Sequence, residues 1–98
     1  MKITKTQQGN ALKISLEGRL DTVSAPELQK ELKAALDGID SLELDFEKLD
    51  YVSSAGLRVL VSAHKSLLGK GSMKITHANV VVREVFDVTG LMDILSVE

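Results

Sequence analysis

The sequence has 98 residues, of which 44% are hydrophobic and 27% charged, and its formal net charge at pH 7 is −2. This length and composition are typical of one globular domain, which we expect to span residues 1–98. The small net charge gives no indication of binding to nucleic acid or to an anionic membrane surface. Three aromatic residues are too few for a base-stacking platform.

No targeting or membrane signal is visible in the sequence. The first residues lack the apolar segment of a signal peptide, and no apolar run approaches the roughly 18 residues that span a membrane. The chain contains no cysteine, which excludes disulfides, zinc–cysteine sites and thiol chemistry. The lack of disulfides agrees with a cytoplasmic location, which we expect for this protein.

The beginning of the chain predicts a β-hairpin. Leu12, Ile14 and Leu16 alternate with polar residues, as in a half-buried strand. Residues 2–8 precede this strand across Gly9-Asn10, and we expect the two segments to pair.

A first helix is predicted to begin after Ser24. Serine is a favoured N-cap residue, Pro26 is tolerated in the first turn, and Glu27 completes a capping box. Gly38 is the expected stop. The helix has one apolar stripe, formed by Leu28, Leu32, Ala35, Leu36 and Ile39.

The rest of the chain alternates strand and helix patterns. Residues 42–46 and 73–76 alternate in polarity and predict strands. The segment 92–97 is predicted as a last strand or a short helical turn. A third helix is predicted from the N-cap Asn79 to about Gly90, with the side chains of Val82, Val85 and Phe86 facing inward. The second helix runs from about Ser54 to Leu68, with an apolar side of Leu57, Leu60, Val61, Leu67 and Leu68.

This order, β-β-α-β-α-β-α-(β), predicts an α/β fold. Alternating strands and helices favour a mixed, mostly parallel sheet of four to five strands with right-handed crossovers. Because each strand shows one polar face, we expect the helices to pack mainly on one face of the sheet.

The run Tyr51–Leu57 is the strongest indication of function. It places two hydroxyls, Ser53 and Ser54, at a helix N-terminus, which has unpaired N–H donors and the positive end of the helix dipole. Ser54 is either a plain N-cap or, if phosphorylated, a residue whose phosphate is held with little rearrangement. Ala55 and Gly56 favour the second interpretation, because small side chains let a partner approach closely. Close approach is a reason to accept the helix-propensity cost of glycine, about 1 kcal/mol relative to alanine.

Asp21 is a second candidate site residue. It is either a turn residue that bonds its own backbone or a member of the same site as Ser54. Both residues follow a strand and precede a helix, and such loops lie at one edge of a parallel sheet. We therefore expect Asp21 and Ser54 to share that edge.

Catalytic and metal-binding alternatives have less support. His64 lies ten residues after Ser54 in the same helix, roughly 15 Å along its axis at 1.5 Å per residue, so a triad of Ser54, His64 and Asp21 is excluded. The two histidines, His64 and His77, lack metal-ligand spacing and carboxylate companions. We expect neither an enzyme nor a cofactor.

Three motifs, Gly18–Asp21, Leu49–Leu57 and Asp87–Leu91, stand in the order and spacing of a known family. On these motifs the chain resembles the STAS domain, specifically the single-domain bacterial anti-sigma factor antagonists. The resemblance implies that the unphosphorylated protein binds an anti-sigma factor that is also a serine kinase, which releases the sigma factor. Phosphorylation by that kinase ends the interaction, and a PP2C-type phosphatase reverses it.

The resemblance also implies the modified residue. The acceptor is the serine two residues before the motif glycine, here Ser54. The preceding residue, often aspartate in the family, is Ser53, which makes Ser53 the second choice. We expect a monomer whose docking surface is blocked by phosphorylation without refolding. This partner-binding surface is predicted to comprise Asp21, Ser53, Ala55, Gly56, Leu57, Arg58 and Val61.

Other functions remain open on the same residues. STAS domains also serve as subunits of lipid-transport ATPase complexes and as scaffold modules in signalling assemblies, both without a phosphorylation cycle. An enzyme with Ser54 as nucleophile would need a nearby base, for which only Asp21 is available. A structural interaction domain would bind one partner permanently.

Overall fold

Strands and helices alternate along the chain in the order that the sequence predicts. The computed structural model describes residues 1–98. Residues 91–97 contain both of the expected alternatives, a 3₁₀ turn and a short strand. The elements are β1 Lys2–Gln8, β2 Ala11–Leu20, α1 Ala25–Ala35, β3 Ser41–Val52, α2 Ser54–Leu67, β4 Ser72–Thr76, α3 Val80–Val88, the 3₁₀ turn Leu91–Asp93 and β5 Ser96–Val97.

The five strands form one sheet in the order β1-β2-β3-β4-β5. β1 and β2 pair antiparallel through a tight turn in which Gly9 adopts a φ of +59°. Every later pair is parallel, with α1, α2 and α3 as the crossover connections. The predicted mixed, mostly parallel sheet is confirmed.

Alternating burial separates an apolar face of the sheet from a polar one. In β2, Leu12, Ile14 and Leu16 are buried, whereas Lys13 between them is exposed. The Phe46 ring of β3 packs against α3, whose Phe86 ring centroid lies 6.5 Å away. The helices cover the apolar face and leave the polar face to solvent, as expected. None of the helices has the length and apolar character needed to cross a membrane.

β2 and β3 are longer than the sequence indicates. β2 continues to Leu20 and β3 to Val52, so residues 18–20 and 47–52 are strand rather than loop. The two strands remain paired past register shifts between Ser15 and Glu17 and between Gly18 and Arg19. These irregularities interrupt the two-residue polarity pattern, which is why that pattern underestimates both strands.

The predicted capping box of α1 is wrong. Ser24 occupies the N-cap position but makes no side-chain cap hydrogen bond. Its hydroxyl instead donates to the Arg19 carbonyl at 2.6 Å and accepts from the Asp21 N–H at 2.9 Å. A buried serine thus ties the end of β2 to the loop before α1.

The buried side of α2 is wider than predicted. Val59 and Ala63 are buried beside Leu60, because α2 contacts both α1 and the sheet. Val61 is only half-buried. Leu68 lies beyond the helix end with 62% of its surface exposed, since the backbone there turns to an extended conformation.

Candidate functional site

The loops after β2 and β3 meet at one edge of the sheet. The Ser53 N–H donates to the Leu20 carbonyl at 2.8 Å, which joins the start of α2 to the end of β2. Asp21 follows Leu20 directly. The structure therefore brings the Asp21 loop and Ser54 to the same edge, as predicted.

The two serines at the start of α2 have different roles. Ser53 is the N-cap, and its half-buried hydroxyl accepts from the Gly56 N–H at 3.3 Å. Ser54 is the first helical residue, is exposed, and its hydroxyl makes no hydrogen bond within the chain. The interpretation of Ser54 as the N-cap is wrong by one residue, because propensity alone cannot distinguish adjacent serines. Its hydroxyl is free to react or to contact a partner.

Gly56 is needed for internal packing. A Cβ at this position would lie 2.7 Å from Leu20 Cγ and 3.0 Å from the Leu20 carbonyl oxygen. The residue is buried, so a partner does not approach it directly. The expectation that Gly56 leaves room for a partner is corrected: it leaves room for the end of β2.

Asp21 organises its own loop. Its Oδ1 accepts hydrogen bonds from the N–H groups of Val23 at 3.0 Å and Ser24 at 3.1 Å. The Ser24 N–H, followed by the other donors and the Arg19 charge, lowers the pKa of Asp21 despite partial desolvation. The turn interpretation is therefore confirmed. The side chain remains 35% exposed, with Arg19 Nε 4.0 Å from Oδ2.

Arg19 links this loop to the end of β3. Its guanidinium carbon lies 4.5 Å from the centre of the Tyr51 ring, in cation–π geometry. Tyr51 is half-buried at the edge that carries Ser53. The contact holds the β2 and β3 ends together on the solvent side.

The exposed part of α2 lies between two shallow grooves. Arg58 lines both grooves and forms no ion pair. Ala55 lies in the groove toward α1, whereas Ser54, Leu57 and Val61 lie in the other. Leu57 is only 8% exposed, so its contribution to a docking surface is small.

The groove beside Ser54 includes two residues that the surface prediction omits. Thr89 and Leu91 line it from the segment that follows α3. Both belong to the motif Asp87–Leu91, so this motif was the sequence signal that could have identified them. Only the fold shows that this distant motif borders α2.

A nucleophilic role for Ser54 finds no support in the hydrogen bonds around it. No histidine or carboxylate is hydrogen-bonded to its hydroxyl, and the Asp21 carboxylate is engaged with its own loop. His64 is half-buried on α2. The arrangement is an exposed hydroxyl on a rigid helix start, which suits modification or docking.

Comparison with known proteins identifies relatives along almost the whole chain. A family model described as "Mlab, STAS domain" matches residues 3–96. BtrV of Bordetella bronchiseptica, named as a candidate anti-sigma factor antagonist, is 36% identical over 99 residues, covering 99% of this chain and 85% of BtrV. The anti-sigma-B factor antagonist of Bacillus subtilis is 29% identical over 92 residues, covering 93% of this chain and 84% of its own.

Solved structures have the same fold. SpoIIAA, an anti-sigma factor antagonist from Bacillus, superposes in its unphosphorylated form with a TM-score of 0.87 at 19% identity, covering 99% of this chain and 88% of SpoIIAA. Its phosphorylated form superposes with a TM-score of 0.78 at 18% identity, covering 99% and 91%. At these identities the likeness establishes the fold alone.

Proposed function

The chain belongs to the STAS domain family, and we propose that it is an anti-sigma factor antagonist that phosphorylation of Ser54 switches off. The names of its relatives support the first part of this proposal. The second part rests on one observation: the Ser54 hydroxyl is exposed and unbonded at the first residue of α2. Ser53 is the weaker acceptor, because its hydroxyl caps the helix.

Phosphorylation of Ser54 fits the fold without rearrangement. The mark adds about −1.5 to −2 charges at pH 7. It would lie at the positive end of α2, whose first turn contains no acidic residue, so the helix dipole favours it. The neighbouring core residues Gly56 and Leu57 are already packed and need not move.

The proposed partner is an anti-sigma factor with serine kinase activity, and a PP2C-type phosphatase would remove the mark. The docking surface consists of Ser54, Ala55, Arg58, Val61 and the Asp21 loop. Arg58 lies one helical turn from Ser54 and has no partner within the chain. A phosphate on Ser54 would repel acidic groups of the kinase and compete with them for Arg58, so affinity falls while the fold persists.

A second candidate function is constitutive binding without a phosphorylation cycle, as a subunit of a lipid-transport or signalling complex. The observation that favours it is Ser53, which occupies a position where the family often has aspartate. The chain therefore lacks the acidic group that a kinase acting on this family often encounters next to the acceptor serine.

Intact mass measurement and phosphopeptide mapping separate the two candidates. The protein would be isolated from its own host, grown with and without stress, together with Ser54→Ala and the matched control Ser53→Ala. We expect one phosphate that depends on conditions, persists in Ser53→Ala and disappears in Ser54→Ala. A phosphate that disappears only in Ser53→Ala would move the site. A chain that is never phosphorylated yet co-purifies with a fixed partner would favour constitutive binding.

A further inference from the structure

Three side chains with metal-ligand chemistry converge away from Ser54, on the polar face of the sheet. Asp45 and Glu47 belong to β3, and His77 follows β4. Parallel pairing places Asp45 opposite Thr76, which brings His77 beside it across 32 residues of sequence. One ligand atom from each residue lies within 4.8 Å of the other two. We propose that Asp45, Glu47 and His77 form a binding site for a divalent transition-metal ion of the Zn²⁺ type.

The donor set and its spacing suit such an ion. One imidazole nitrogen and two carboxylate oxygens are ligands that Zn²⁺ accepts, at bond lengths of roughly 2.0–2.2 Å. Bonds of that length place adjacent atoms of a tetrahedron roughly 3.3 Å apart. His77 Nδ1 donates a hydrogen bond to Asp45 Oδ1 at 3.0 Å. The ion would take the place of that proton, which moves to Nε2 or to solvent. Glu47 is exposed, so rotation of its side chain can bring its carboxylate to the ion. The fourth position is left for water or a partner's ligand.

The Asp45 side chain is held in position before any ion arrives. It is 9% exposed, and its Oδ1 accepts from the Glu47 N–H at 3.0 Å. An oriented carboxylate loses little freedom when it coordinates a metal.

Lys13 is the side chain that would compete with a metal ion for Asp45. Its ammonium reaches across from β2 to lie 3.7 Å from Asp45 Oδ2. Lys13 is exposed, so its side chain can swing into solvent when a divalent ion arrives. The lysine should therefore act as a competitor of the metal, and its removal should strengthen binding.

Isothermal titration of the full chain with ZnCl₂ at about pH 7.5 tests the site. We expect one ion per chain. His77→Gln and Glu47→Gln should each weaken binding by at least about tenfold, and Lys13→Gln should strengthen it several-fold. His64→Gln is the matched control, since it removes the other histidine of the chain and should leave binding unchanged.

Circular dichroism would establish that each variant is folded, and imidazole NMR would locate the ion. Zn²⁺-dependent shifts confined to the His77 ring support the site. The proposal is overturned if no saturable binding is found, if His64→Gln weakens binding as much as His77→Gln, or if Lys13→Gln weakens it. None of these results depends on phosphorylation of Ser54, so failure here leaves the proposed function untouched.

Discussion

Gly56→Ala tests whether this glycine serves internal packing or partner approach. Alanine at an open helix position would stabilise the protein by about 1 kcal/mol relative to glycine. In this structure the new Cβ would lie 2.7 Å from Leu20 Cγ and 3.0 Å from the Leu20 carbonyl oxygen, where ordinary contacts are about 3.5–4.0 Å. Packing and propensity therefore predict opposite signs for the same substitution.

The packing effect should prevail. Leu20 is fully buried, and its carbonyl is held by the Ser53 N–H at 2.8 Å, so neither atom can retreat freely. Overpacking of this kind costs about 1–3 kcal/mol. After subtraction of the propensity gain of about 1 kcal/mol, we expect Gly56→Ala to lower the free energy of unfolding by up to about 2 kcal/mol. For a domain of this size, about 2 kcal/mol corresponds to a fall in Tm of roughly 8–16 °C.

Urea denaturation followed by circular dichroism would measure this change. The matched control is Ala55→Gly in the same turn, which should also destabilise, by about 1 kcal/mol of helix propensity. In a Leu20→Ala background the cost of Gly56→Ala should shrink, because the closest side-chain atoms are gone. If Gly56→Ala instead raises the unfolding free energy, the packing explanation is wrong and the open-surface interpretation returns.

Asp21→Asn tests the turn before α1, and Asn79→Ala tests the N-cap of α3. The folded pKa of Asp21 is depressed, so its ionised form stabilises the fold above the unfolded pKa of about 3.9, and this contribution is lost as pH falls through the folded pKa. The difference in urea midpoint between wild type and Asp21→Asn should thus be present at pH 7 and narrow below about pH 4; a constant difference would contradict this assignment. Asn79 accepts from the Val82 N–H at 2.8 Å and donates to the Leu49 carbonyl at 3.0 Å. Because both hydrogen bonds are lost, Asn79→Ala should lower the free energy of unfolding, measured by thermal unfolding, by about 1–2 kcal/mol. Ser53→Ala removes only the 3.3 Å hydrogen bond from the Gly56 N–H, so it should lower the free energy of unfolding by less than Asn79→Ala does. Equal losses would argue against a role for the hydrogen bond between Asn79 and the Leu49 carbonyl.

Local patterns in the sequence determined the order of the elements and much of their chemistry. The alternation of Leu12, Ile14 and Leu16 identifies a strand with one buried face because side-chain direction repeats every two residues. Asn79 identifies a helix start because its short side chain can reach an N–H only three residues away. The motif around Ser54 likewise needed no tertiary information to be placed between a strand and a helix.

Contacts between distant residues were decided by the tertiary structure alone. The role of Gly56 depends on Leu20, and the border of the Ser54 groove depends on Thr89 and Leu91, which no local period encodes. The Asp45–His77 pair joins β3 to the residue that follows β4, and a whole crossover helix separates the two in sequence. Sequence patterns report each segment's own geometry, whereas the sheet register fixes which segments lie side by side. The carboxylate companions of His77 therefore became visible only once β3 and β4 were paired.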